Sequence, residues 1–291
     1  MAETILEAID LEYSYPDGTK ALRRVNMAVH LGEKIAVLGS NGAGKSTLFL
    51  HFNGILQPEG GCIRFHGRDL SYKRAEIMEL RRKIGIVFQD PDSQLFSASV
   101  LQEVSFGPMN LGLSEAEVRR RVAKALQDTE TGDLIDRPTH MLSFGQKKRV
   151  SIADILAMEP EVIIFDEPTA WLDPRHAREF MQLLDDLSKQ GKTIIISTHD
   201  VDLAYSWADR IFVMKQGQVL AEGKPEDVFC RKQLIGIADL NLPWLVETHN
   251  ELVRLGLLTP ERSLPRTKEE LYASLAPLAR FNSGSGLACS S

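Results

Sequence analysis

The chain has 291 residues, 43% hydrophobic and 25% charged, with a formal net charge of −6. This composition fits one large or two modest soluble globular domains and excludes intrinsic disorder for most of the length. Asp and Glu outnumber Lys and Arg by 40 to 34, which argues against a nucleic-acid partner bound through its phosphate backbone. The cysteines, Cys62, Cys230 and Cys289, are odd in number and lack C-x-x-C spacing. They indicate neither a disulfide framework nor a structural zinc site, and they fit a reducing compartment. The opening segment MAETILEAIDLEYSY carries early acids and does not read as a signal peptide. No run approaches the roughly 18 consecutive apolar residues of a membrane span, so work at a membrane would need a spanning partner.

In chain order, Ile5–Tyr15 reads as a strand entering the turn Pro16-Asp17-Gly18, with a second strand near Ala21–His30. The apolar run Lys34–Leu38 predicts a buried strand, followed by the Gly-rich segment Gly39–Gly44 and a helix to about Asn53. Cys62–Phe65 and Ile84–Phe88 are further strand candidates. From Ser99 to Met158 the pattern is helical. Ser114 with Glu117 predicts a capping box, and Val118, Val122 and Ala125 follow at helical spacing. A second lobe helix is expected from about Ser143 to before Pro160.

Then come a strand Val162–Phe165, a helix from Pro174 to Ser188, a strand Thr193–Ser197 and a short helix Val201–Ala208. Ile211–Met214 and Gln218–Ala221 suggest a closing hairpin around Gly217. Beyond Pro225, the prolines Pro243, Pro260, Pro265 and Pro277 punctuate short helical pieces. Thr267–Glu270 reads as a capping box opening a helix toward Leu278, and the Ser/Gly-rich end should be flexible. Alternating strands and helices predict an α/β domain with a mainly parallel sheet.

Gly39, Ser40, Asn41, Gly42, Ala43, Gly44, Lys45 and Ser46 match G-x-x-x-x-G-K-[ST] between a predicted strand and helix. Such glycines let successive N–H groups converge on one anion at a helix N-terminus. Lys45 adds charge for the β- and γ-phosphates, and Ser46 offers a hydroxyl to Mg2+. Glu161–Glu167 (EVIIFDE) delivers Asp166 and Glu167 to the carboxyl end of a buried strand, where ligands bind in open α/β sheets. Asp166 suits Mg2+ through water, and Glu167 suits orienting or deprotonating an attacking water. His199 ends the next predicted core strand, placing it as a phosphate contact. The other six histidines are scattered and read as structural or exposed.

Leu142, Ser143, Phe144, Gly145 and Gln146 lie upstream of Asp166, before a helix. With the phosphate loop and Asp166–Glu167, this segment resembles the signature of ATP-binding-cassette ATPases. The resemblance covers about Ile5 to Val228, with the motifs in family order. It implies a P-loop ABC cassette: a mainly parallel core sheet, an antiparallel β subdomain and an inserted helical lobe at about 97–158, within a domain 1–235. A small helical extension would occupy 236–291, with a flexible tail at 282–291.

The resemblance assigns adenine stacking to Tyr15, phosphate binding to Gly39–Thr47, a Mg2+-contacting, partner-facing loop to Gln89, a dimer-contact loop to Leu172-Asp173, and a switch role to His199. It implies ATP and Mg2+ as ligands. It further implies head-to-tail pairing, in which Ser143–Gln146 of one subunit closes on the nucleotide held at Gly39–Thr47 of another. Phe144 stands where the family usually has Gly, and a positive φ would be uncomfortable there. Trp171 stands where a small residue is common, and reads as a packing residue with the core slightly favoured over the interface.

Phe88–Phe96, with Val104–Pro108 behind it, resembles the energy-coupling-factor importers, and Tyr13–Gly18 and the helical extension are similar to their cobalt-importing members. This implies an ATPase, homodimeric in function, that energises uptake of cobalt, with nickel or a vitamin such as biotin as the alternative cargo. Its partners would be a transmembrane coupling subunit and substrate-binding membrane subunits, with the chain peripheral on the cytoplasmic face of the membrane and no nucleic acid bound. Leu95, Phe96, Phe106 and Met109 are candidate docking-groove residues, with lobe-core packing as the alternative. A soluble ABC ATPase of DNA repair or translation would need coiled-coil or second-cassette insertions that this chain lacks. A P-loop kinase would not need Leu142–Gln146.

Overall fold

The computed structural model describes residues 3–259 and 263–282. The first half runs β1 (Thr4–Ser14), β2 (Lys20–His30), β3 (Lys34–Leu38), α1 (Lys45–Phe52), β4 (Gly60–Phe65), β5 (Arg68–Asp69), α2 (Arg74–Lys83) and β6 (Ile84–Val87). Three lobe helices follow, α3 (Val100–Asn110), α4 (Glu115–Asp128) and α5 (Phe144–Leu156). Next are β7 (Val162–Phe165), α6 (Pro174–Lys189), β8 (Thr193–Thr198), α7 (Val201–Trp207), β9 (Arg210–Lys215) and β10 (Gln218–Gly223). The chain continues through α8 (Pro225–Phe229), α9 (Lys232–Ile237), α10 (Trp244–Arg254) and α11 (Lys268–Asn282).

The core sheet has the order β10-β9-β3-β8-β7-β6, parallel except for its β10 edge. The expected hairpin around Gly217 supplies that edge. Every residue of β6, β7 and β8 is buried, because this sheet is covered on both faces. One buried cluster joins it to α1 and to the antiparallel sheet β2-β1-β4-β5, through Leu6, Val25, Phe49 and Phe212 among others. The other joins its opposite face to the lobe and the C-terminal helices. The parallel register of β3, β8 and β7 brings the segments after Leu38, Thr198 and Phe165 to one end of the sheet.

Three details differ from the sequence-based expectation. Ser114 caps α4 by accepting the Glu117 N–H, but the reciprocal half of the box is missing. The Glu117 carboxylate is held instead by Arg120 and Arg121, which pull its pKa down to about 2. Likewise Thr267 accepts the Glu270 N–H, while the Glu270 carboxylate takes the N–H of Arg266. α11 runs to Asn282, past the expected end near Leu278, and the tail beyond residue 282, Pro260 and Cys289 lie outside the described residues. Leu245, Val246 and Leu271 of the C-terminal helices share a buried cluster with Tyr205 and Ile211. The Arg266 guanidinium donates to the carbonyls of Tyr205 and Ala208, satisfying the end of α7.

Candidate functional site

The loop between β3 and α1 curls tightly. Gly44 has φ +101°, and a Cβ there would meet the Ala21 carbonyl oxygen at 2.7 Å, so only glycine fits. Lys45, at the first turn of α1, is buried; its ammonium donates to the carbonyls of Gly39 at 2.6 Å and Ser40 at 3.3 Å. It also lies 3.6 Å from Oε1 of Glu167.

Asp166 and Glu167 follow β7. Ser197, at the carboxyl end of neighbouring β8, donates its hydroxyl to Asp166 and accepts the Glu167 N–H at 2.8 Å. Glu167 has φ +47°, a left-handed backbone that costs an L residue about 1–3 kcal/mol and is held here by that Ser197 bond. Its Oε2 is 3.0 Å from Nδ1 of His199. Its Oε1 is buried and accepts no hydrogen bond. A buried carboxylate oxygen without a donor is an open acceptor for a proton or a water. Ser197 escaped the sequence reading, although it stands only two residues before His199.

A cavity of about 340 Å³ is lined by Tyr15, Asn41, Gly44, Lys45, Ser46, Thr47, Gln89, Asp166 and Glu167. The expected adenine and metal residues and residues 41–47 of the phosphate loop thus share one pocket, which Gly39, Ser40 and His199 do not line. Tyr15 donates or accepts a 3.0 Å hydrogen bond with the Thr47 hydroxyl, and its ring meets Tyr13 edge-on at 5.2 Å. Tyr13 in turn packs edge-on against buried His51, whose pKa is lowered by burial. The oxygens of Ser46, Gln89 and Asp166 form the hard donor set that Mg2+ prefers, so the pocket fits that ion.

A second cavity, about 500 Å³, is lined by Ser143, Phe144, Gly145, Gln146, Trp171, Leu172 and Asp173, so signature and dimer-loop residues also share a surface. Leu142 is buried in the lobe core instead. Ser143 and Gln146 form a complete capping box, which satisfies the Ser143 and Gln146 amides at the positive end of α5. Phe144 takes the first helical position with a negative φ, so its departure from Gly brings no backbone strain. Trp171 does not pack in the core: it is 81% exposed, at φ +65°. Asp173 caps α6, accepting the N–H groups of Arg175 and His176, and those bonds lower its pKa.

The loop after β6 is gripped from α5. Lys148, 1% exposed, donates to the carbonyls of Phe88 at 3.2 Å and Gln89 at 2.9 Å. Burial pulls its pKa down to about 8, opposed by the carboxylates of Asp166, Asp90 and Glu167. Gln94 accepts the Phe88 N–H and donates to Ser151 O and to Asp154. Nothing in the basic run Lys147-Lys148-Arg149 distinguishes its buried member in sequence. Of the candidate groove residues, Leu95 packs against the lobe core, while Phe96, Phe106 and Met109 are exposed, with Phe96 and Phe106 edge-on at 4.9 Å.

A family model described as ABC transporter matches residues 22–170. The chain is 48% identical over 272 residues to the energy-coupling factor transporter ATP-binding protein EcfA of Methanosphaera stadtmanae, covering 94% of this chain and 98% of that protein. It resembles the solved structure of cbiO1 from Clostridium perfringens, described as part of the ABC transporter complex cbiONQ, with a TM-score of 0.73 and 53% identity over 85% of this chain and 99% of that one. It also resembles the dimeric structure of MJ0796, a bacterial ABC transporter cassette, with a TM-score of 0.70 and 30% identity over 76% of this chain and 99% of that one. The chain belongs to the ABC transporter family, among its ATPase subunits of the energy-coupling-factor type.

Proposed function

We propose that two such cassettes trap ATP between them and that its hydrolysis energises an importer, with cobalt ions as cargo. The observation that carries the catalytic part is Glu167: its Oε1 is buried, accepts no hydrogen bond and faces the Lys45 ammonium at 3.6 Å, while His199 holds Oε2. That geometry suits a base taking a proton from water attacking the γ-phosphate, with His199 orienting the carboxylate. Lys45 and the amides of Gly39–Thr47 hold the phosphates, and Tyr15 stacks the adenine. Mg2+, held by Ser46, Asp166 and Gln89, would neutralise charge building on the phosphates. Ser143–Gln146 and Leu172-Asp173 line one surface cavity, which supports their meeting a second copy's nucleotide as a unit.

Glu167→Gln should abolish turnover while retaining ATP binding, so that an ATP-dependent dimer accumulates on gel filtration. Normal hydrolysis by that variant contradicts the assignment.

Among the described residues no helix is long and apolar enough to cross a membrane. The exposed Phe96, Phe106 and Met109 suit docking of a helix from a transmembrane coupling subunit at the cytoplasmic face. Cobalt is supported by the likeness of Phe88–Phe96 and Tyr13–Gly18 to cobalt importers, and by the similarity to cbiO1. Among the described residues no group of three or more His, Cys, Asp or Glu could hold a metal, so cargo recognition is assigned to membrane partners. Co-purification with those partners, followed by ATP-dependent uptake of labelled cobalt, nickel or biotin, tests the cargo; nickel or biotin accumulation without cobalt overturns it.

A further inference from the structure

Lys148 is a buried cation held by neutral main-chain oxygens. Its ammonium contacts the carbonyls of Phe88 and Gln89, and it forms no ion pair among the described residues. Such burial is expensive, and an apolar side chain of similar length would fill the same space without that cost. Stability alone does not explain a charge here; what the charge holds does.

The held segment is the one that leads from β6 to Gln89, which lines the nucleotide cavity with Ser46 and Asp166. The holder belongs to α5, which is capped by Ser143, five residues earlier in sequence, or about 7–8 Å along the axis. Neighbouring α5 residues add to the grip. Lys147 pairs with Asp92, and Gln94 reaches Ser151 and Asp154. Asp92 is largely exposed, so that pair is screened and weak. Lys148 is the buried contact that reaches Gln89 itself.

We propose that Lys148 is a positioning residue for ATP hydrolysis: by gripping the main chain at Phe88 and Gln89 it ties the Gln89 segment to the helix carrying Ser143, so that both reach the nucleotide in register. The inference rests on the ATPase activity of the chain and on Gln89 serving the nucleotide pocket, and is independent of the cargo. A helix displaced at Ser143 drags Gln89 with it, because a short ammonium–carbonyl contact does not stretch. Without the tether the two groups arrive separately, and hydrolysis slows although ATP still binds.

The test is a double-mutant cycle on the full-length chain, with kcat, KM for ATP, equilibrium binding of a fluorescent ATP analogue and thermal midpoint measured for each variant. Lys148→Gln, with Lys148→Met as the second variant, should lower kcat about 10- to 100-fold, as a misplaced catalytic group does, with little change in KM or analogue affinity. Lys148→Arg, which keeps the charge and the donors, should recover most of the rate. In a Gln89→Ala background the same Lys148 substitutions should lower kcat no further. The proposal is overturned if Lys148→Gln and Lys148→Met keep the parental kcat, if Gln89→Ala does, or if the two losses multiply. The ATP-dependent pairing of Glu167→Gln is read separately, so failure of the tether and failure of the two-cassette reading are distinguishable.

Discussion

Trp171 holds a large indole in solvent on a left-handed backbone, at φ +65°. That conformation costs an L residue about 1–2 kcal/mol relative to glycine. Trp171→Gly should therefore raise the stability of the isolated chain by about 1 kcal/mol, seen as a thermal midpoint about 2–4 °C higher; an unchanged or lower midpoint contradicts the strain. Residues at this scale were legible where a spacing carried the chemistry. Ser143 and Gln146 stand three apart as a capping box requires, and the G-x-x-x-x-G-K-[ST] spacing placed Lys45. Trp171 was misread because a large aromatic is usually buried, whereas its exposure follows from a loop backbone the sequence does not encode locally. Lys148 was invisible because a lysine in a basic run reads as solvated; only the packing of α5 against the loop after β6 buries it.

Helix α5 presents Lys147, Lys148, Ser151 and Asp154 toward the segment from Phe88 to Gln94. Asp154 is half-buried; desolvation raises its pKa to about 7, against the Gln94 hydrogen bond and with Glu103 adding to the rise. An acid whose folded pKa is raised binds its proton more tightly when folded. Its contribution to stability is therefore complete below pH 3.8 and is lost as pH climbs toward about 7. Asp154→Asn cannot ionise, so its thermal midpoint should gain on the parent's between pH 5 and pH 8, by about 2–4 °C for each kcal/mol; parallel pH curves would show that Asp154 does not titrate there. Elements themselves were legible in proportion to their burial. β3, β6, β7 and β8 are apolar runs covered on both faces, which leaves little choice of structure. α2 went unseen because Arg74–Lys83 buries only Leu80, too little for a periodic signal.

Across the whole molecule, the motif order anticipated both sheets and the lobe, since the site needs loops from several strands at one end of the core. The docking of the C-terminal helices was not legible, because its contacts, such as Arg266 to the end of α7, join distant segments. We propose 1–235 and 236–291 as the division of labour between cassette and extension. Removing residues 236–291 should lower the thermal midpoint, because the burial of Leu245, Val246 and Leu271, each contributing about 1.5–3 kcal/mol, is lost and the cassette residues they cover, such as Tyr205 and Ile211, are uncovered. ATP affinity below that midpoint should change little; an unaltered midpoint would show that the extension adds nothing to the fold. The bond between Tyr15 and Thr47 has a consequence at this scale as well. It joins the antiparallel sheet to the first helix of the parallel one. A purine resting on Tyr15, as proposed, with its phosphates on α1 would straddle that seam, so occupancy would rivet the two layers together, and amide exchange along β1 and β2 should slow when nucleotide is added.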